Sequence, residues 1–153
     1  MVLGLDKKEI VIVIAEDDPG HVTLIRKNLL RSGLTNEFVV LKDGQEALDF
    51  FFRPGAESCR VVDTPYLLLL DIRMPKVDGV DVLRQIKQDE ELKKLPIIML
   101  TTMDDPREVE RCHALGCSNF ITKPVEYEKF VDTITQMGLF LAVVTVPELG
   151  TST

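Results

Sequence analysis

The sequence predicts an α/β fold in which a parallel sheet is covered by helices on both faces. Short apolar runs alternate with amphipathic helical stretches, and this alternation occurs five times across residues 9–138. The apolar runs have few polar residues, which is typical of strands buried on both faces. Regular strand–helix alternation indicates parallel strands joined by crossover helices.

The first two strand–helix units are predicted from β-branched runs followed by helical spacing. "EIVIVI" (9–14) predicts a strand, and residues 19–33 predict a helix that ends at Gly33. The inner face of that helix is predicted from its apolar spacing: Val22, Ile25, Leu29 and Leu30. "EFVVL" (37–41) predicts the second strand, and "DGQEALDFFF" predicts a helix that begins after a turn at Asp43–Gly44.

The remaining three units follow a long loop over 54–65. "YLLLLD" (66–71), "LPIIMLT" (95–101) and "SNFIT" (118–122) predict strands three to five. Helices are predicted between and after them, over the ranges 79–92, 105–116 and 125–138. The inner face of the first of these is predicted by three residues: Val80, Leu83 and Ile86.

A chain of 153 residues suits one domain with a core of its own. We expect an N-terminal extension (1–8), a domain (9–138) and a C-terminal tail (139–153), with no separate output domain. The tail begins with the apolar run "LFLAVV", so we expect it to pack on the domain or on a second copy of the chain.

Composition excludes several classes of protein. A net charge of −7 without a basic cluster argues against nucleic acid as a partner. No apolar run approaches the ~20 residues of a membrane-spanning helix, and the N-terminus lacks the pattern of a signal peptide. Three cysteines without CxxC spacing indicate reduced thiols and a cytoplasmic protein. Cys112 and Cys117 are predicted to be core-facing apolar residues rather than a redox pair.

Polar residues follow four of the five predicted strands. These residues are Glu16, Asp17 and Asp18 after strand one, Asp71 after strand three, Thr101 and Thr102 after strand four, and Lys123 after strand five. Ligands of open parallel sheets bind beyond the carboxyl ends of the strands, so we expect these groups to form one site. Asp18 is predicted to cap the first helix instead.

The collected groups suit phosphoryl transfer. Crowded carboxylates repel one another unless a cation joins them, and oxygen ligands with room for water suit Mg²⁺. Asp71 is then the predicted nucleophile, and Glu16 and Asp17 are the predicted metal ligands. Thr101 and Lys123 would contact the phosphoryl oxygens. Taken alone, Asp71 would be better explained as a cap after a strand, but the companion strand ends favour the site. Lys123 could be an exposed loop lysine, but its place directly before Pro124 and one residue beyond a strand favours the site.

Four motifs, in this order and spacing, resemble the receiver domain of bacterial two-component response regulators: "AEDD", "LLLLDIRMPKVDG", "IIMLTT" and "NFITKP". The resemblance covers about residues 9–138. It implies a doubly wound, flavodoxin-like sheet of five parallel strands in the order 2-1-3-4-5, in three α/β/α layers. It also implies phosphoryl transfer from a sensor histidine kinase to the aspartate that ends strand three.

Carried over to this sequence, the resemblance implies a role for each matching residue. Asp71 is the phosphoacceptor, with Thr101 as switch hydroxyl, Phe120 as switch aromatic and Lys123 as phosphate-binding lysine. The peptide bond between Lys123 and Pro124 is similar to one that is cis in the family. The implied Mg²⁺ ligands are Glu16, Asp17, Asp71 and the backbone carbonyl of Arg73. Side chains at three positions are expected to modulate access to the phosphoryl group: Arg73, Thr102 and Met103. We expect the bulk of Arg73 and Met103 to slow its loss.

The long loop and the tail are similar to those of small stand-alone regulators of the cyanobacterial phytochrome type, which tend to dimerise through their C-terminal side. We therefore expect a signalling phosphoacceptor rather than a metabolic enzyme, with a sensor histidine kinase, an unidentified downstream protein and a second copy of the chain as partners. A phosphorylation-independent binding module and a phosphate relay or sink remain alternatives.

Two other readings of the same strand ends are disfavoured. A phosphatase of the haloacid dehalogenase type needs a second acid two residues after the nucleophile, where this chain has Arg73. A flavin-binding electron carrier needs a loop after strand one whose amides bind a phosphate, whereas "AEDDPG" would repel one.

Overall fold

The computed structural model describes residues 10–31, 36–101, 106–122 and 148–150, together with Glu128 and Asp132. Its strands are β1 (Val11–Ala15), β2 (Phe38–Leu41), β3 (Thr64–Asp71), β4 (Ile97–Thr101), β5 (Asn119–Thr122) and β6 (Glu148–Leu149). Its helices are α1 (Pro19–Arg31), α2 (Gly44–Phe52), α3 (Gly79–Gln88) and α4 (Pro106–Leu115), with a 3₁₀ turn over Leu92–Lys94. The predicted extension (1–8), Gly33 and, apart from Glu128 and Asp132, the predicted helix over 125–138 lie outside the described residues.

The strands β1 to β5 form a parallel sheet in the order β2-β1-β3-β4-β5, as the resemblance implies. The central strand is β3, in which Leu68 lies between Val13 of β1 and Ile97 of β4. Because all five strands run the same way, their carboxyl ends lie along one edge. In the described part of the chain, no helix is both long enough and apolar enough to cross a membrane.

The four leucines of β3 supply both faces of the core. Leu68 and Leu70 belong to the cluster that packs against α2 and α3, whereas Leu67 and Leu69 belong to the cluster that packs against α1. All four are at most 2% exposed. The alternation follows from strand geometry, in which successive side chains point to opposite faces. The prediction of a sheet covered on both faces is confirmed.

The predicted inner face of α1 was wrong in one residue. Ile25 and Leu29 are fully buried, as expected, but 54% of Leu30 is exposed. Adjacent helical residues are separated by about 100° around the axis, so Leu30 lies to one side of the buried stripe. For α3 the three predicted residues are all buried. This helix ends at Gln88 rather than at 92, because Asp89 is extended and its Oδ2 accepts hydrogen bonds from the amides of Glu91 and Leu92.

The predicted loop between α2 and β3 contains a feature that the sequence did not reveal, a fully buried arginine. Arg60 is 0% exposed, and its Nε donates a hydrogen bond of 2.7 Å to the carbonyl oxygen of Phe51. Its Nη1 lies 3.5 Å from the carbonyl oxygen of Leu149. Charged side chains are almost never fully buried unless they are paired or hydrogen-bonded. Arg60 therefore joins the end of α2 to the C-terminal tail.

The described part of the tail packs on the domain. Strand β6 pairs antiparallel with the start of β3, so that Leu149 faces Thr64 and Glu148 faces Pro65. This pairing explains why β3 begins two residues earlier than predicted. Leu149 is fully buried, and the amide of Gly150 donates to Oε2 of Glu91. This hydrogen bond lowers the pKa of Glu91.

All three cysteines are free, and Cys112 and Cys117 are buried, which confirms their prediction as core residues. Burial raises the pKa of Cys112 to about 11 and also raises that of Cys117. Both effects keep these two thiols protonated and unreactive at neutral pH. Cys59 is only partly buried.

We expect iodoacetamide at about pH 8 to modify Cys59 well before Cys112 and Cys117, because alkylation needs an accessible thiolate. Intact-mass analysis over time would show a single addition first. The same reaction in concentrated urea provides the control, in which all three thiols should react together. Three equally fast additions to the folded protein would contradict this burial.

Candidate functional site

Three carboxylates meet at the carboxyl edge of the sheet. In the register of β1 and β3, Ala15 lies beside Leu70, so the residues that follow these two are brought together. Glu16, Asp17 and Asp71 each place a carboxylate oxygen within 4.8 Å of the others. Glu16 and Asp71 are each only 2% exposed, whereas Asp17 is exposed. The sequence predicted these three residues as neighbours, and the structure brings them together.

Asp71 is held by backbone contacts at the point where β3 surfaces. The amide of Ile72 donates to the carbonyl oxygen of Leu100, and the amide of Gly79 donates back to the carbonyl oxygen of Ile72 at 2.8 Å. A Cβ atom on Gly79 would overlap the carbonyl oxygen of Asp71. Glycine at the start of α3 therefore allows the helix to begin directly against the end of β3.

The loop between β3 and α3 is fixed by contacts at Lys76 and at Asp78, where α3 begins. Asp78 caps α3, because its Oδ1 accepts a hydrogen bond of 2.7 Å from the amide of Val80. Nζ of Lys76 lies 3.5 Å from Oδ2 of Asp43, and Asp43 is the N-cap residue of α2. The turn predicted at Asp43–Gly44 thus connects the loop beyond Asp71 to α2.

Glu16 and the start of α1 form a second set of contacts. Oδ1 of Asp18 accepts hydrogen bonds from the amides of Gly20 and His21, which agrees with the prediction that Asp18 caps α1. Oε1 of Glu16 lies 3.3 Å from the amide of Asp18 and 3.3 Å from Nδ1 of His21. The residue spacing around His21 does not predict this contact.

Arg73, two residues after Asp71, points toward α4. Its Nη2 lies 3.5 Å from Oε2 of Glu108, and its side chain is 58% exposed. The two residues lie on a cleft of about 390 Å³ between the β3–α3 region and α4, whose other lining residues are Asp78, Val80, Asp81, Arg107 and Arg111. The contact with Glu108 could not be found from sequence spacing, because it depends on how α4 packs beside α3.

The other predicted site residues fall into two groups. Thr101 ends β4, which is adjacent to β3, and it pairs with Thr122 of β5. Phe120 lies in β5, is half-buried against the core, and its ring centroid lies 6.0 Å from that of His113. Thr102, Met103 and Lys123 lie outside the described residues.

The chemistry of the acidic cluster fits a hard divalent cation. Carboxylate oxygens at this spacing match the preference of Mg²⁺, and one exposed carboxylate leaves an approach from solvent. Two nearly buried carboxylates side by side are unfavourable without a compensating positive charge.

Comparison with known proteins is consistent with this geometry. A model of the family described as "Response regulator receiver domain" matches residues 12–135. A receiver domain structure from Rhodospirillum rubrum is 43% identical, with a TM-score of 0.76 over 92% of this chain and 99% of that one. The bacteriophytochrome response regulator RtBRR is 36% identical, with a TM-score of 0.77 over 95% of this chain and 87% of that one.

The response regulator Rcp1 of Synechocystis is also similar. It is 34% identical over 113 residues, which cover 74% of this chain and 76% of Rcp1. Its Mn²⁺-bound structure has a TM-score of 0.72 at 30% identity, over 90% of this chain and 99% of that one. With a family match over most of its length and a sheet in the order 2-1-3-4-5, this chain belongs to the response regulator receiver domain family.

Proposed function

We propose that this protein is a signalling phosphoacceptor in which Asp71 receives a phosphoryl group from the phosphohistidine of a sensor histidine kinase. The observation that carries the proposal is the position of Asp71, whose carboxylate ends the central buried strand within 4.8 Å of two further carboxylates. A nearly buried carboxylate at a cation site is preorganised as a nucleophile.

A carboxylate oxygen of Asp71 would form the bond to phosphorus while the phosphorus–nitrogen bond of the donor breaks. The donor imidazole keeps the electron pair of that bond and takes up a proton from solvent. Mg²⁺ would be held by Glu16, Asp17, Asp71 and the backbone carbonyl of Arg73, and when bound it would neutralise charge on the phosphoryl oxygens. Support for a cation comes from the carboxylate set of this chain and from the Mn²⁺-bound form of Rcp1.

The remaining residues would respond to the new charge. Thr101 would hydrogen-bond a phosphoryl oxygen, Lys123 would pair with another, and Phe120 would move with Thr101 to alter the surface around α4 and β5. The side chains of Arg73, Thr102 and Met103 would control access of water and so the lifetime of the acyl phosphate. The half-buried position of Phe120, between core and surface, suits such a movement.

Signalling would then occur by protein–protein contact. We assign residues 9–138 to the receiver domain, flanked by an extension (1–8) and a tail (139–153). Similarity to RtBRR supports a phytochrome-type kinase as donor, and the C-terminal side is the proposed surface for a homodimer. The proposed location is the cytoplasm, with no nucleic acid or membrane partner.

The acceptor is tested by incubating the protein with Mg²⁺ and a small phosphodonor such as phosphoramidate, followed by intact-mass analysis. We expect wild type to gain the mass of one phosphoryl group and Asp71→Asn to gain none, because the amide is not a nucleophile. Asp49→Asn is the matched control, since the side chain of Asp49 is 41% exposed on α2, where its Oδ1 lies 3.8 Å from Nη2 of Arg53. It should be modified like wild type.

An unmodified wild-type protein would favour a phosphorylation-independent binding module, and modification of Asp71→Asn would place the acceptor elsewhere. Hydrogen exchange with and without the phosphodonor separates a switch from a phosphate relay or sink. A switch is expected to change exchange in β4, α4 and β5, whereas a relay or sink is expected to leave it unchanged.

A further inference from the structure

Glu16 is one of the two nearly buried carboxylates in the acidic cluster, and one of its oxygens lies within hydrogen-bonding distance of two nitrogens. Its side chain is 1% exposed, and Oε1 lies 3.3 Å from Nδ1 of His21. The backbone amide of Asp18 donates to the same oxygen, also at 3.3 Å. An ionised carboxylate only accepts hydrogen bonds, so this contact is a hydrogen bond in the states of His21 that carry a proton on Nδ1.

His21 is itself held in place by the start of α1. Its amide lies 3.4 Å from Oδ1 of Asp18, the residue that caps this helix. Its ring nitrogen Nδ1 also lies 3.8 Å from Oδ2 of Asp18. The side chain is 33% exposed, so one part of the ring packs inward while another meets solvent. His21 therefore approaches Glu16 from a fixed helical position, and carboxylates face it from both Glu16 and Asp18.

These contacts determine how Glu16 presents its carboxylate to the cluster. The two oxygens of a carboxylate offer about four lone-pair sites, so the hydrogen bonds at Oε1 leave acceptor capacity for a cation. They also restrict rotation of the side chain about its terminal bond. Groups that do not contact a metal ion but hydrogen-bond to its ligands and orient them commonly contribute strongly to metal affinity.

We propose that His21 is a positioning residue for the divalent cation site, acting through Oε1 of Glu16. This inference rests on the proposed function, since it takes Glu16 as a metal ligand. His21 does not contact the cation; it holds Glu16 in the orientation in which Glu16, Asp17 and Asp71 can share one ion. Its contribution is made before phosphorylation and concerns binding of the cation alone.

The test is calorimetric titration of Mg²⁺ into the unphosphorylated full chain at one fixed, mildly alkaline pH. We expect His21→Leu to weaken Mg²⁺ binding about 10-fold, the lower end of such outer-contact effects. His21→Asn should restore binding to near the wild-type value, because the amide nitrogen of asparagine occupies the place of Nδ1. His21→Gln carries its amide one bond further out and should bind as weakly as His21→Leu. His113→Leu, on α4, is the control and should bind like wild type.

Thermal unfolding in EDTA separates positioning from a general structural role. Without metal the three variants of His21 should melt close to one another, and only the increase in Tm on adding Mg²⁺ should distinguish them. Equal Mg²⁺ affinity for wild type and His21→Leu would overturn the inference, and so would an asparagine variant as weak as the leucine variant. A wild-type protein that binds no Mg²⁺ would overturn the cation site of the proposed function itself. That result differs from a His21→Leu variant whose Mg²⁺ affinity is unchanged, which would overturn only the role of His21.

Discussion

Gly79→Ala is expected to destabilise the protein by about 3 kcal/mol, at the upper end of the usual cost of overpacking. Alanine is the better helix former by up to about 1 kcal/mol, so local propensity alone predicts the opposite sign. The added Cβ would overlap the carbonyl oxygen of Asp71 and lie 2.8 Å from Cα of Ile72. These are main-chain atoms that cannot rotate away, so either the end of β3 or the start of α3 has to move.

Urea unfolding followed by far-UV circular dichroism measures this loss as a lower midpoint at constant m-value. Gly20→Ala is the matched control, because Gly20 also lies in the first turn of a helix. Among the described residues, its Cβ would closely approach one atom, Oδ1 of Asp18 at 3.1 Å, which belongs to a side chain that can shift. We expect that variant to remain within about 1 kcal/mol of wild type. A Gly79→Ala protein as stable as Gly20→Ala would contradict the close approach.

The elements that were predicted correctly are those encoded by short stretches of sequence. The leucines of β3 and the inner face of α3 carry their own signal, since burial on two faces gives an unbroken apolar run and burial on one face gives helical spacing. The acidic cluster was predictable for a related reason. Parallel strands deliver their carboxyl ends to one edge, so Glu16, Asp17 and Asp71 had to be neighbours once the strands were identified.

The features that the sequence left hidden depend on contacts between distant or differently oriented segments. Arg60 and Leu149 are 89 positions apart, and nothing near either one marks a buried arginine or a pairing strand. Helical spacing alone did not distinguish the exposed Leu30 from the buried Leu29. The contact of His21 with Glu16 depends on the turn over residues 16–20, and that of Arg73 with Glu108 depends on the packing of α4. In these cases the three-dimensional arrangement supplies information that periodicity does not contain.

Leu149→Ala is expected to cost about 3 kcal/mol, within the range for a fully buried leucine. Leu149 is 0% exposed and belongs to the same core cluster as Phe51 and Leu68. Its backbone carbonyl accepts from the amide of Asp63 at 2.7 Å and from Arg60. Loss of its side chain would therefore leave a cavity and also weaken the contacts of a fully buried guanidinium.

Leu30→Ala is the matched control, because it removes the same atoms from a leucine that is 54% exposed. We expect its effect on the free energy of unfolding to stay within about 0.5 kcal/mol. If β6 undocks readily in the native protein, Leu149→Ala can lower the free energy of unfolding by no more than the free energy with which β6 docks. Leu149→Ala and Leu30→Ala would then have similar free energies of unfolding. A clearly lower free energy of unfolding for Leu149→Ala means that β6 is part of the core. Only a strand that stays docked until global unfolding can lower the global stability when one of its side chains is removed.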